Sequence, residues 1–134
     1  MTSKFFVDSN ILLYLIDPLS AKHLRVNGLL EQRLTISVQV LNECANVARK
    51  KSGFTLEEIR EFLQPIKQDC FVAPVTIETH ERALQIAQET NLGVYDANIV
   101  AAAELAGCDV LYTEDLNHSQ RIGRVTICNP FMAA

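Results

Sequence analysis

A chain of 134 residues, 49% hydrophobic and 21% charged with only five glycines and four prolines, has the composition of a compact globular protein rather than a disordered or fibrous one. No apolar run approaches the ~18 residues needed to span a bilayer, and the stretch MTSKFFVDSNILLYLID, interrupted by Asp8, Asn10 and Asp17, does not read as a signal peptide, so no membrane association and a cytoplasmic location are expected. A formal net charge of −4 speaks against a protein that grips duplex nucleic acid mainly through its phosphates, which leaves either another ligand or local binding helped by cations or a partner.

Taken in chain order, KFFVDS reads as a first strand, short, aromatic and β-branched. NILLYLID, ended by Pro18, follows as a short helix. SAKHLRVNGLLEQR, apolar at Leu24, Val26, Leu29 and Leu30, reads as a second helix, and LTISV (34–38) as a second strand. From Gln39 to Lys51, residues Val40, Leu41, Cys44, Ala45, Val47 and Ala48 form a stripe of helical period, with Gly53 placed to stop the helix. Arg49-Lys50-Lys51, the densest basic cluster, falls at the solvated end of that helix, where cations suit the macrodipole.

Thr55-Leu56-Glu57-Glu58 is a capping box opening the helix EEIREFLQ. CFVAPV (70–75) is a third strand, which Pro74 assigns to an edge or a strand end. Thr76 to Asn91 is a long helix stopped by Leu92-Gly93. Asp96 to Ala106, rich in alanine and apolar on most faces, is a buried helix that Gly107 ends. DVLYT (109–113) and RVTIC (124–128) are the fourth and fifth strands. Strands alternating with helices imply an α/β fold with a mainly parallel five-stranded sheet covered on both faces, and the lack of repeats or linkers makes residues 1–134 a single domain. Cysteines at 44, 70, 108 and 128 have no CxxC spacing and most lie in apolar stretches, so buried free thiols are expected.

Ligand sites in open parallel sheets lie beyond the C-terminal ends of the strands. Asp8 follows the first strand. Glu43 lies in the first turns of the helix after the second. Asp96 opens the buried helix before the fourth, and Asp115, in YTEDLNH, follows the fourth. Each has an ordinary structural explanation by itself: a strand terminator, a first-turn acid favoured by the helix dipole, an N-cap and a turn residue. Their convergence on one sheet edge is harder to explain that way. Glu114 is a neighbour of Asp115, but strand alternation turns the two in different directions. No Lys or Arg lies within three residues of Asp8, Asp96 or Asp115, so a divalent cation is the natural way to relieve their repulsion. Oxygen ligands without a converging His or Cys select Mg²⁺ or Mn²⁺ over Zn²⁺; His118, near Asp115, is expected to be a loop residue. A hard cation held by acids suits phosphate-ester chemistry, in which one or two ions neutralise charge and activate water.

FFVDSN, the mid-chain helix VLNECANVA, YDANIVAAA and LYTEDL, in this order and spacing, resemble the PIN-domain ribonucleases, and the length and motif order are similar to the VapC-like toxins of prokaryotic toxin–antitoxin pairs. The resemblance covers nearly the whole chain. It implies a three-layer α/β/α sandwich and a Mg²⁺- or Mn²⁺-dependent endoribonuclease that cleaves RNA phosphodiesters with metal-activated water. It also implies that Asp8, Glu43 and Asp96 are the core catalytic, metal-binding acids, Asp115 the fourth and more variable one, Asn10 a residue orienting the first carboxylate or a water, and Thr113 the hydroxyl residue often found there. By the same resemblance the chain forms a homodimer and is silenced by a small antitoxin.

Two other readings compete. A haloacid-dehalogenase-like phosphatase also places an Asp after the first strand, but its acid/base would stand at position 10, where Asn cannot transfer the proton; a phospho-receiver would need an Asp after the third strand, and CFVAPVT has none. A catalytically inactive PIN-fold binding module would be expected to have lost at least one of Asp8, Glu43 and Asp96. The apolar residues Leu24, Leu29, Leu30, Ile59, Phe62 and Leu63 suit either a core or a dimer face.

Overall fold

The computed structural model describes residues 3–132. The chain runs β1 (Phe5–Val7), α1 (Ser9–Leu12), a 3-10 turn (Leu13–Leu15), α2 (Ala21–Leu29), β2 (Thr35–Ser37), α3 (Val38–Ser52), α4 (Leu56–Asp69), β3 (Phe71–Ala73), α5 (Ile77–Thr90), α6 (Val94–Leu105), β4 (Val110–Tyr112), β5 (Arg121–Ile122) and β6 (Val125–Cys128). All five expected strands form and pair in parallel, in the order β3-β2-β1-β4-β6, and β5 adds an antiparallel edge beyond β6.

The sheet therefore has six strands rather than the five expected. Two-residue β5 is too short to show a period in sequence; it is made by a two-residue turn, Gly123-Arg124, that pairs Ile122 with Val125. Gly123 has φ 57°, and a Cβ there would strike the Glu104 carboxylate, so both the backbone and the packing require glycine.

From β1 the chain steps outward to β2 and β3, then returns to β4 on the other side of β1. Right-handed crossovers taken in opposite directions put their helices on opposite faces. The contacts agree: α3 packs on α1, α4 and β2, whereas α5 and α6 pack on each other and α6 crosses β2, β4 and β6. The result is a three-layer α/β/α sandwich. Because the sheet is covered on both faces, its strands are buried continuously rather than alternately: Phe6, Val7, Ile36, Leu111 and Ile127 are all fully buried.

Local chemistry explains most helix ends. The Thr55 capping box closes with Glu58 Oε1 accepting from Thr55 N at 2.8 Å and Thr55 Oγ1 from Glu58 N at 3.1 Å. Gly53, at φ 67°, ends α3. Two boundaries differ from expectation. Helix α4 does not stop at Gln64 but runs through Pro65 to Asp69, because Pro65 and Glu61, whose carbonyl loses its partner, both face solvent while Ile66 anchors the last turn in the core. Helix α6 starts at Val94, with Gly93 as N-cap, so Asp96 sits inside the first turn rather than at its opening.

Of the residues suited to either core or dimer face, Leu29, Ile59 and Leu63 are buried, but Leu24 is 77% exposed. Cys44, Cys70 and Cys108 are buried free thiols and Cys128 is half-buried; burial pushes Cys44 up to about 12 and Cys70 to about 11, leaving them unreactive. No helix among the described residues is long and apolar enough to cross a membrane.

Ile36 lies under helices on both sides of the sheet, so Ile36→Ala is expected to destabilise the fold by ~2–5 kcal/mol, whereas Thr55→Ala, which loses only the capping box, costs ~1 kcal/mol. Urea titration of the two variants checks the ranking; equal losses would contradict the core placement.

Candidate active site

Asp8 is the first residue past β1, and its N–H donates to Tyr112 O at 3.0 Å, which continues the parallel ladder to the very tip of the strand. Thr113 is the first residue past β4 and is fully buried. Asp8 and Thr113 thus flank the point where strand order reverses, between β1 and β4, which is the crevice where open α/β sheets bind ligands. Ser37, the last residue of β2, caps α3 through Val40 N at 3.3 Å and so directs that helix from the same edge. Glu43 lies in the second turn of α3, where the helix dipole has faded, and Asp96 in the first turn of α6.

A hydrogen-bond network holds Asp8. Its Oδ1 accepts from Ser9 N at 2.7 Å, and its Oδ2 from Thr113 Oγ1 at 2.9 Å and Asn10 Nδ2 at 3.4 Å. Asn10 Nδ2 also donates to Thr113 Oγ1 at 3.1 Å, Asn10 Oδ1 accepts from Glu114 N at 3.3 Å, and Thr113 Oγ1 accepts from Asp115 N at 3.2 Å. Asn10 and Thr113 therefore tie the first carboxylate to the loop that carries Asp115. Glu114 points away, as strand alternation requires: it accepts from Tyr14 Oη at 2.6 Å and Lys22 Nζ at 2.7 Å, and the Lys22 ammonium lies over the Tyr14 and Phe131 rings. His118 accepts from Asn129 N through Nδ1, a loop role.

The sequence matches the PIN domain family over residues 5–123. The chain belongs to the PIN-domain family. Solved structures with the same fold include a toxin–antitoxin complex from Klebsiella pneumoniae, 22% identical with a TM-score of 0.72 and covering 98% of this chain and 100% of that one. A DNA-bound VapBC from Salmonella typhimurium is 25% identical with a TM-score of 0.69 over 94% and 97%. VapC20 of Mycobacterium tuberculosis, described as a sarcin-ricin loop cleaving toxin, is 19% identical with a TM-score of 0.69 over 84% and 90%. A search of curated proteins finds no significant match.

The electrostatics of this PIN domain follow from the convergence of its acids. Asp8 is 6% exposed, and burial raises its pKa; hydrogen bonds from Thr113 and Ser9 oppose the rise, while the charges of Asp115 and Asp96 add to it. Glu43 is raised by burial and by the charges of Asp8, Asp96 and Asp115, against a hydrogen bond from Ser9. Asp96 is raised by burial and by Asp115. No basic side chain contributes to any of the three shifts.

Among the described residues no three His, Cys, Asp or Glu side chains are grouped closely enough to hold a metal ion by themselves. Mg²⁺, which keeps several waters and is held by one or two carboxylates together with substrate phosphate, does not need such a group. Each Asp8 oxygen accepts one short bond, and Ser9 Oγ and Asn10 Nδ2 stand at 3.4 Å as second, longer partners.

Ser9 is the residue sequence reasoning passed over. Its Oγ lies 3.4 Å from both Asp8 Oδ1 and Glu43 Oε1, and its single proton serves one at a time. Its place between Asp8 and Asn10 was the available signal.

A carboxyl whose pKa is raised by folding binds more protons folded than unfolded, so its contribution is present below the ordinary value, 3.8 for Asp8, and is lost as pH rises through the raised folded value. Metal-free Asp8→Asn is therefore expected to melt higher than wild type at pH 7, with the difference closing as pH falls through the raised folded value and gone below the ordinary 3.8. Mg²⁺ at ten times its Kd adds ~1.4 kcal/mol to the wild type and nothing to Asp8→Asn. Thermal melts with and without Mg²⁺ read both; equal Mg²⁺ shifts in the two proteins would contradict a shared site at Asp8.

Proposed function

We propose that this protein is a Mg²⁺- or Mn²⁺-dependent endoribonuclease and the toxin of a toxin–antitoxin pair. The observation that carries the reading is the convergence of Asp8, Glu43, Asp96 and Asp115 at the sheet's switch point with no basic side chain to neutralise them. A divalent cation bound there supplies Lewis acidity towards a phosphodiester and lowers the pKa of water. The acids hold it rather than attack the substrate themselves. Asn10 and Thr113 fix the rotamer of Asp8, so that its carboxylate is oriented before substrate arrives.

The acidity of the site also accounts for a net-negative chain acting on RNA: positive charge is required at one phosphate only, and the metal brings it there. Asn10 spends its amide on Asp8, Thr113 and Glu114, and has no proton to transfer, which disfavours an aspartyl-phosphatase mechanism. The similarity to VapBC and other toxin–antitoxin complexes supports a small antitoxin as partner; a homodimer in the cytoplasm is the working form that the family resemblance implies.

Purified protein is expected to cleave RNA with Mg²⁺ and to lose activity with EDTA. Asp8→Asn and Asp96→Asn each lower kcat/KM by ~100-fold or more, equivalent to ~2.7 kcal/mol of transition-state stabilisation, while Thr113→Val, which frees Asp8 without removing it, has a smaller effect. Full activity in either Asn variant would sink the assignment of the acids.

A further inference from the structure

Helix α3 carries more than Glu43 on the face that meets the site. Gln39, Asn42, Glu43 and Asn46 line an open groove of about 340 Å³ together with Tyr95. Spacings of three and four residues put the four on one side of the helix, and Lys50 continues the row. Asn42, Asn46 and Lys50 are exposed. The facing wall is Tyr95, 77% exposed, in the first turn of α6 and adjacent in sequence to Asp96. The groove thus starts at Glu43, one of the four acids, and leads along α3 towards its basic end, Arg49-Lys50-Lys51.

Its chemistry is specific. Three amides offer donors and acceptors in pairs. The Gln39 amide nitrogen is enclosed and has no hydrogen-bond partner. A flat aromatic stands free of the core, and Lys50 lies ~10 Å along the helix from Glu43. Amides bond base edges, aromatics stack on base faces and a cation neutralises phosphate, which is how single-stranded RNA is held.

We propose that this groove is a subsite for unpaired RNA. It takes the nucleotide beside the scissile phosphate, with the base stacked on Tyr95, its edge bonded by Asn42, Asn46 and Gln39, and the next phosphate at Lys50. The inference rests on the nuclease reading and adds to it the residues that hold the nucleotide beside the cut, with Tyr95 as the stacking platform.

The chain contains no tryptophan, so Tyr95→Trp places a single indole in the groove. In an Asp8→Asn background, which blocks turnover, titration with a short single-stranded RNA of mixed sequence is expected to quench that indole, and a hairpin duplex of the same sequence is not. Tyr95→Ala raises Kd for the single strand about ten-fold, Tyr95→Phe by no more than about two-fold, and an abasic nucleotide at the subsite erases the difference between them. An unquenched indole with an unchanged Kd for Tyr95→Ala, in a protein whose otherwise wild-type form cleaves RNA, overturns the subsite and leaves the nuclease standing. Wild type that neither cleaves nor binds single-stranded RNA overturns both. A Tyr95→Ala protein that binds RNA normally but escapes its antitoxin assigns the groove to a protein partner, and the subsite falls.

Discussion

Repulsion among four carboxylates that the topology does not allow to separate is the constraint on which this molecule depends. Asp8 is fixed by the end of β1 and Asp115 by the loop after β4, the two strands on either side of the switch point. Glu43 and Asp96 ride on helices packed over opposite faces of the sheet. Moving any of them away would disturb either the parallel ladder or a helix seated on it. The charge remains in place, and folding alone relieves it only by proton uptake, which is the direction in which Asp8, Glu43 and Asp96 are all shifted.

The surrounding polar groups make sense in that light. Thr113 and Ser9 N stabilise the ionised form of Asp8 and counter part of its burial. Asn10 reaches the same oxygen and the loop beyond β4. The Tyr14–Lys22–Glu114 cluster also holds that loop, and Lys22 is paired with Glu114.

Much of this was legible in the sequence because the relevant signals are local. FFV, TIS and VLY are strand-length apolar runs, Thr55 and Glu58 announce a helix start three residues apart, and parallel topology assigns every strand's C-terminal end to one edge. Where reading failed, tertiary contacts overrode local rules. Pro65 normally ends a helix, but Ile66 packs in the core and carries α4 onward. Leu24 fits the apolar period of α2 yet faces solvent, because α2 meets the core through Val26 and Leu29 only. Asp96 resembled an N-cap, but Gly93 takes that position and Asp96 becomes a first-turn acid of α6 instead. Tyr14 and Lys22 gave no sequence signal of their roles, since each depends on a partner 92 to 100 residues away.

The central claim is that the four acids form one site for a divalent cation. Crystals grown with Mn²⁺ test it most directly, through anomalous scattering from the metal. The account predicts a peak in the crevice between β1 and β4, bonded to Asp8 Oδ2 or Oδ1 and to at least one of Glu43, Asp96 and Asp115. Metal bound only elsewhere, or an acidic crevice occupied by a basic side chain of the same chain, would contradict it.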